Sequence, residues 1–179
     1  MKKRILIVLT LVALIFIASG ALYALRVGGK LQSVKLISPS NSPMWIPHIG
    51  KKVITIMYGD PDVQNIADPL NNVILARKYS AMKFAGIGIG NCKDTWLPNG
   101  AIRMGARSKL KQFPGSIILL DEKHTLKNKW YLGDCNNKVV IIVIAKDRTI
   151  KYVSKVANKA QCRLIIPKVM KIIDTEMKK

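Results

Sequence analysis

From Lys51 onward, apolar and polar positions fall into blocks whose period changes from element to element. "KVITIMY" is a short, nearly continuous apolar run rich in branched residues, the pattern of a strand covered on both faces. "ADPLNNVILARKYS" has helical spacing: Leu70, Val73 and Ile74 share a face, Asp68 is placed to cap, and Pro69 suits the first helical position. "FAGIGIGN" alternates again, with Gly86, Gly88 and Gly90 on one face of a strand and Ile87 and Ile89 on the other. A bare glycine face predicts a helix packed close against it. The glycine spacing does not fit the dinucleotide fingerprint, which needs G-x-G-x-x-G between a strand and a helix.

"LPNGAIRMGARSKLKQFPG" reads as the second helix, with Ile102, Ala106, Leu110 and Phe113 as its apolar stripe. Arg103, Arg107 and Lys111 form a basic ridge at four-residue steps, and Pro114 with Gly115 ends the helix. "SIILLD" is a third strand and "EKHTLKNKWYLGD" holds a short helix. "KVVIIVIAKDRTIKYV" is a hairpin turning at "KDR". The last segment, "NKAQCRLIIPKVMKIIDTEMKK", is an amphipathic helix in which Pro167 predicts a kink or a late start. Apolar strands alternating with helices imply an α/β sandwich with parallel strands covered on both faces, and the late hairpin makes the sheet mixed.

The region before Lys51 has a different character. Lys2, Lys3 and Arg4 precede an apolar run from Ile5 to Ala18, and small residues follow at Ser19, Gly20 and Ala21. That order is a secretory signal cut near Ala21 or Ala24, or, since no charge appears before Arg26, an uncleaved membrane anchor. Both readings carry the body out of the cytoplasm, with the basic residues left inside. Pro39, Pro43 and Pro47 then interrupt a polar stretch, which reads as an extended lead with a short strand at "SVKLI". The expected organisation is a signal or anchor over 1–24, a linker over 25–50 and one domain over 51–179.

Charge adds a constraint on partners. The 179 residues carry 30 Lys and Arg against 10 Asp and Glu, a net charge of +20. A surface so basic favours polyanions, either an anionic surface or acidic polymers of the envelope. The compartment argues against nucleic acid. Three cysteines, Cys92, Cys135 and Cys162, are widely spaced; no Cys-x-x-Cys is present, and no tight Cys/His cluster suggests zinc. His48 and His124 are far apart and read as surface residues.

The blocks "GKKVITIMYGD", "KDTWLPNGAIRMGARSKLKQFPGS" and "VVIIVIAKDRTIKYV" resemble the thioredoxin-like superfamily in its peroxiredoxin-like and TlpA-like branch, and are most similar to the YtfJ-type exported bacterial proteins. The resemblance implies a thioredoxin-like sandwich, a mixed sheet with helices on both faces, in the periplasm or anchored to the inner membrane facing it. It also implies where a redox site would stand. Asp62 and Asn65 occupy the two positions of the superfamily's Cys-x-x-Cys, and neither supplies a thiolate. The superfamily's cis-proline would fall near Lys138 or Val139, where there is none. The active site is therefore degenerate. Cys92 and Cys135, placed by the resemblance toward the same sheet edge, are candidates for a disulfide or an unconventional redox pair, and Cys162 is a small core residue.

Asp60, Asp62, Asp94 and Asp134 are placed at that edge as well. "GDPDV" after an apolar strand resembles, faintly, the Asp-x-Asp of haloacid-dehalogenase-type phosphotransferases, and "GDCNN" their later acidic motif. Such an enzyme would attack with the first Asp and hold magnesium with carboxylates. Loop aspartates also form turns for local hydrogen-bonding reasons. The leading expectation is a non-enzymatic binding or accessory role in the envelope, with an unidentified envelope protein or anionic surface as partner, no cofactor and no metal. The alternatives are a thiol–disulfide oxidoreductase on non-standard cysteines and a metal-dependent phosphatase on the Asp60 and Asp62 loop.

Overall fold

Branched apolar residues decide where the sheet forms. In the computed structural model, which describes residues 25–179, the strands are Lys35–Ile37 (β1), Pro43–Trp45 (β2), Val53–Gly59 (β3), Phe84–Asn91 (β4), Ile117–Asp121 (β5), Val139–Ile144 (β6) and Ile150–Val156 (β7). The helices are Asp68–Ala76 (α1), Asn99–Gln112 (α2), Thr125–Lys129 (α3) and Lys159–Met177 (α4). The expected signal or anchor lies outside the described residues. Among those described, no helix is long and apolar enough to cross a membrane.

The seven strands form one mixed sheet in the order β2-β1-β5-β4-β3-β6-β7. β3 pairs in parallel with β4 and antiparallel with β6, and β6 turns back into β7. The all-apolar β6 is buried along its whole length, as an inner strand covered on both faces must be. One face carries Ile54, Ile56, Ile87, Ile89 and Ile142 and packs on Leu126 and Trp130 around α3. The other carries Val139, Ile141 and Val143 and packs on Leu70 of α1 and Val169, Met170 and Ile173 of α4. Helices thus cover both faces, with α1, α2 and α4 sharing one.

Residues 25–50 take part in this fold instead of linking to it. β1 pairs with β2 and, through Ile37 opposite Leu120, with β5. Leu31, Val34, Leu36 and Ile46 are buried in the core on the α3 face, and the Trp130 indole N–H donates to the Gln32 carbonyl at 3.0 Å. The prolines suit this placement, because Pro43 opens an edge strand where a missing N–H costs no ladder bond.

Helix ends differ from expectation at two places. α4 starts at Lys159, not late: the Asn158 side chain accepts from the Gln161 N–H at 2.9 Å, while Gln161 accepts from the Ala157 N–H at 2.8 Å. This reciprocal cap fixes the start, and the helix continues through Pro167, whose position is exposed. Asp68 is the first residue of α1 and not its cap; its carboxylate instead pairs with Lys109 of α2 at 2.7 Å.

The glycine face of β4 is where packing departs most from the sequence pattern. Alternation holds, with Ile87 and Ile89 buried in the opposite core. Yet no helix packs close to the glycines. A Cβ at Gly86 would meet only Ser116 Oγ, at 3.9 Å, and one at Gly88 only β5 atoms, the nearer at 3.6 Å. The glycines line a cavity of about 310 Å³ bounded by α1 and α2.

Candidate functional site

β3 leaves the sheet at Gly59, where a Cβ would come within 2.9 Å of Val139 Cγ2, so only glycine fits. Asp60 follows and turns inward, 1 % exposed. One carboxylate oxygen accepts from the Asp62 N–H at 2.9 Å and the other from the Asn137 N–H at 3.0 Å. Asp60 therefore caps the 3-10 turn Pro61–Val63 and fastens it to the loop entering β6. Asp62 accepts from the Thr95 hydroxyl at 2.6 Å, and exposed Asn65 lies in the turn before α1. Asp62 and Asn65, the positions expected to correspond to a redox pair, are an exposed turn acid and an exposed amide. No cis peptide occurs among the described residues.

Asp94, after β4, forms the densest polar cluster. Its carboxylate accepts from Asn91 Nδ2 at 2.6 Å and Lys127 Nζ at 2.5 Å, and His124 Nε2 lies 2.8 Å away. Burial works against its charge, but the hydrogen bonds from Lys127 and Asn91 outweigh it and hold the carboxyl below its usual range. Asp134 stands apart on an exposed loop, paired with Lys138, whose hydrogen bond lowers its pKa.

Two residues here escaped the sequence pattern. Asp121, at the end of β5, is fully buried; one oxygen accepts from the Tyr58 hydroxyl at 3.2 Å and from the Leu126 and Lys127 N–H groups, each at 3.1 Å. Burial first, and then the Asp121 charge, push the Tyr58 phenol far up. His124 is not the plain surface residue expected, since it sits against Asp94 in left-handed backbone at the start of α3. An acid ending an apolar strand just before a helix, as in "LLDEKHT", is the sequence signal that would have found the first. Nothing local announces Tyr58, 63 residues away.

The carboxylates share the sheet edge without converging. Among the described residues, no group of three or more His, Cys, Asp or Glu is placed to hold a metal. Asp60, which a phosphatase would need as nucleophile, has both oxygens taken by backbone N–H groups. The thiols are equally dispersed. All three are free and buried. Cys92 packs with Ile102 and Leu120 on the α2 side of the sheet, whereas Cys135 lies in the core on the α3 side. The candidate disulfide is not formed because the sheet stands between its partners. Burial pushes the Cys92 thiol up to about 12 and raises Cys135 and Cys162 as well. Cys162 is a core residue on the buried face of α4. The basic ridge is also divided, since Arg103 binds Glu122 and Asn41, each at 2.7 Å, while Arg107 and Lys111 stay exposed.

A sequence family described as "Bacterial protein of unknown function (YtfJ_HI0045)" matches residues 47–176. The chain belongs to this family. No curated protein sequence matches it. The YtfJ fold is similar to a peroxiredoxin-like protein from Aquifex aeolicus, with TM-score 0.58 and 12% identity over 84% of this chain and 89% of that one. It is similar to the thioredoxin domain of a thiol-disulfide oxidoreductase from Bacteroides vulgatus, with TM-score 0.57 and 11% identity over 84% and 99%. A thiol peroxidase from Chromobacterium violaceum gives TM-score 0.55 and 14% identity over 83% and 88%. These likenesses establish the thioredoxin-like fold.

Proposed function

We propose that this YtfJ-family protein is a non-enzymatic binding component of the bacterial envelope, exported by its N-terminal segment and built on a thioredoxin-like fold whose redox site has become structural. The observation that carries the reading is the loop after β3. Where a thiol pair would stand, Asp62 and Asn65 complete a turn, and Asp60 is consumed in fastening it. The next thiol along the chain, Cys92, is held as a thiol by burial, and exchange needs a thiolate. The positively charged body suits an acidic partner or an anionic surface.

Reduction of insulin disulfides by dithiothreitol is the direct test. The protein should not accelerate it, and the native thiols should react with a thiol reagent at pH 8 only after denaturation. Turnover that disappears in Cys92→Ser would reject the reading in favour of unconventional redox catalysis. Export has its own test: a reporter active only in oxidising surroundings, fused after Lys179, should be active in cells.

A further inference from the structure

The cavity beneath α1 and α2 has a floor that other strands would fill. Thr55, Met57 and Gly59 of β3 stand in register with Gly86, Gly88 and Gly90 of β4, so one surface carries four positions without side chains. Ile102 and Ala106 of α2 and Ile74 and Leu75 of α1 form apolar walls. The volume of about 310 Å³ falls at the small end of ligand sites, roughly 300–1,000 Å³. Its apolar lining alone would specify nothing.

The polar groups supply direction. Thr55 lines the cavity, is 0 % exposed, and its hydroxyl has no hydrogen-bond partner. A buried hydroxyl without a partner is costly, and a bound ligand removes that cost. Thr55 lies opposite Gly86, at the end where the 78–83 connection enters β4, and Ser116 Oγ is near that same glycine. Lys78 lines this end and is exposed. Of the other charged residues lining the cavity, Lys109 is paired with Asp68 and Asp60 is spent on backbone N–H groups. Lys78 has no acidic partner among the described residues. One end of the cavity thus offers a hydroxyl donor and an uncommitted cation, and the remainder is apolar.

We propose that this cavity binds a single-chain carboxylate amphiphile, a medium-length fatty acid, with its carboxylate at Thr55 and Lys78 and its chain over Gly88 and Gly90. The proposal deepens the binding role argued above, but its readout is ligand affinity and not thiol chemistry, so either can fail alone.

Binding is measured by fluorescence of dansyl-labelled undecanoate with the full-length protein, followed by displacement. Wild type should bind the probe saturably, and decanoate should displace it at least about tenfold better than decanol, the preference expected for a hydrogen bond to a charged group. Gly88→Leu places a side chain in the cavity and should abolish saturable binding. Its β-carbon meets only ordinary contacts, so the melting temperature should not fall. Thr55→Val keeps the shape, loses the hydroxyl, and should weaken binding about tenfold. The proposal is overturned by no saturable binding to wild type, by equal displacement by decanol, or by Gly88→Leu that folds and binds as wild type does. Should Gly88→Leu fail to fold, Thr55→Val decides, and unchanged decanoate affinity in it rejects the proposed head-group site.

Discussion

The loops at the exits of β3, β4 and β5 and the cavity under α1 and α2 share a border at Asp60 and Pro61, yet they differ in how their charged groups are held. At the loops every carboxylate has a hydrogen-bond partner. Asp60 ties two loops together, Asp94 gathers Asn91, His124 and Lys127, and Asp121 holds the start of α3. In the cavity Asp60 and Lys109 are committed too, but Thr55 lacks a partner and Lys78 lacks an acid. Density of acids is therefore a poor guide to chemistry in this chain. The acids fasten loops that a thioredoxin-like fold must present at this edge, and capacity for a ligand survives where polarity is sparse.

The strongest way to break that comparison is to remove a fastening acid. Asp121→Ala leaves the Tyr58 hydroxyl and two N–H groups of α3 without their acceptor. The expected loss is about 3–5 kcal/mol, since each buried donor left unsatisfied costs roughly 1–3 kcal/mol. Urea denaturation at pH 7 measures it, and near wild-type stability would show that Asp121 fastens nothing. Next in size is Asp60→Asn. Asparagine turns one acceptor into a donor facing a backbone N–H, so about 1–3 kcal/mol should be lost. Asp62→Asn, two residues away and exposed, should stay within about 0.5 kcal/mol. Equal losses for the two would mean the loop has no single fastening point.

These expectations depend on contacts the sequence shows unevenly. The pairing of β3 with β4 and the β6–β7 hairpin were legible, because inner strands leave continuous or strictly alternating apolar runs. β2 was hidden because Pro39, Pro43 and Pro47 signal irregular chain, and only the tertiary setting makes Pro43 acceptable at a sheet edge. Gly86, Gly88 and Gly90 were rightly placed on one face, but what covers a face is decided by where α2 docks, which no local pattern reports. Asp68 looked like a cap because sequence cannot see Lys109, 41 residues on. For the cysteines, the order of elements along the chain was readable, and the side of the sheet on which each thiol ends was not.

A change at the cavity sharpens the comparison from the other side. Thr55→Val removes a buried hydroxyl that has no partner, so it should raise stability by about 1 kcal/mol, opposite in sign to Asp121→Ala and Asp60→Asn. A loss of stability in the ligand-free protein would show that the hydroxyl is satisfied after all. The contrast would then collapse, because the cavity would be fastened as the loops are.

The last fastening acid is Asp94, and pH separates it from the others. Its folded pKa lies below the ordinary value of 3.8, chiefly through Lys127 and Asn91 acting against burial. A carboxyl with a depressed folded pKa stabilises the fold above its unfolded pKa, and that contribution disappears as pH falls through the folded value. At pH 7 Asp94→Asn should therefore cost about 1 kcal/mol, the upper range for a partly exposed ion pair. Below pH 4 the gap between variant and wild type should shrink steadily, because wild type loses what the variant never had. Stability curves of both proteins from pH 7 to pH 3 give the comparison. A constant gap across that range would show that Asp94 acts through hydrogen bonding alone, leaving the Lys127 charge without a part in fastening the loop after β4.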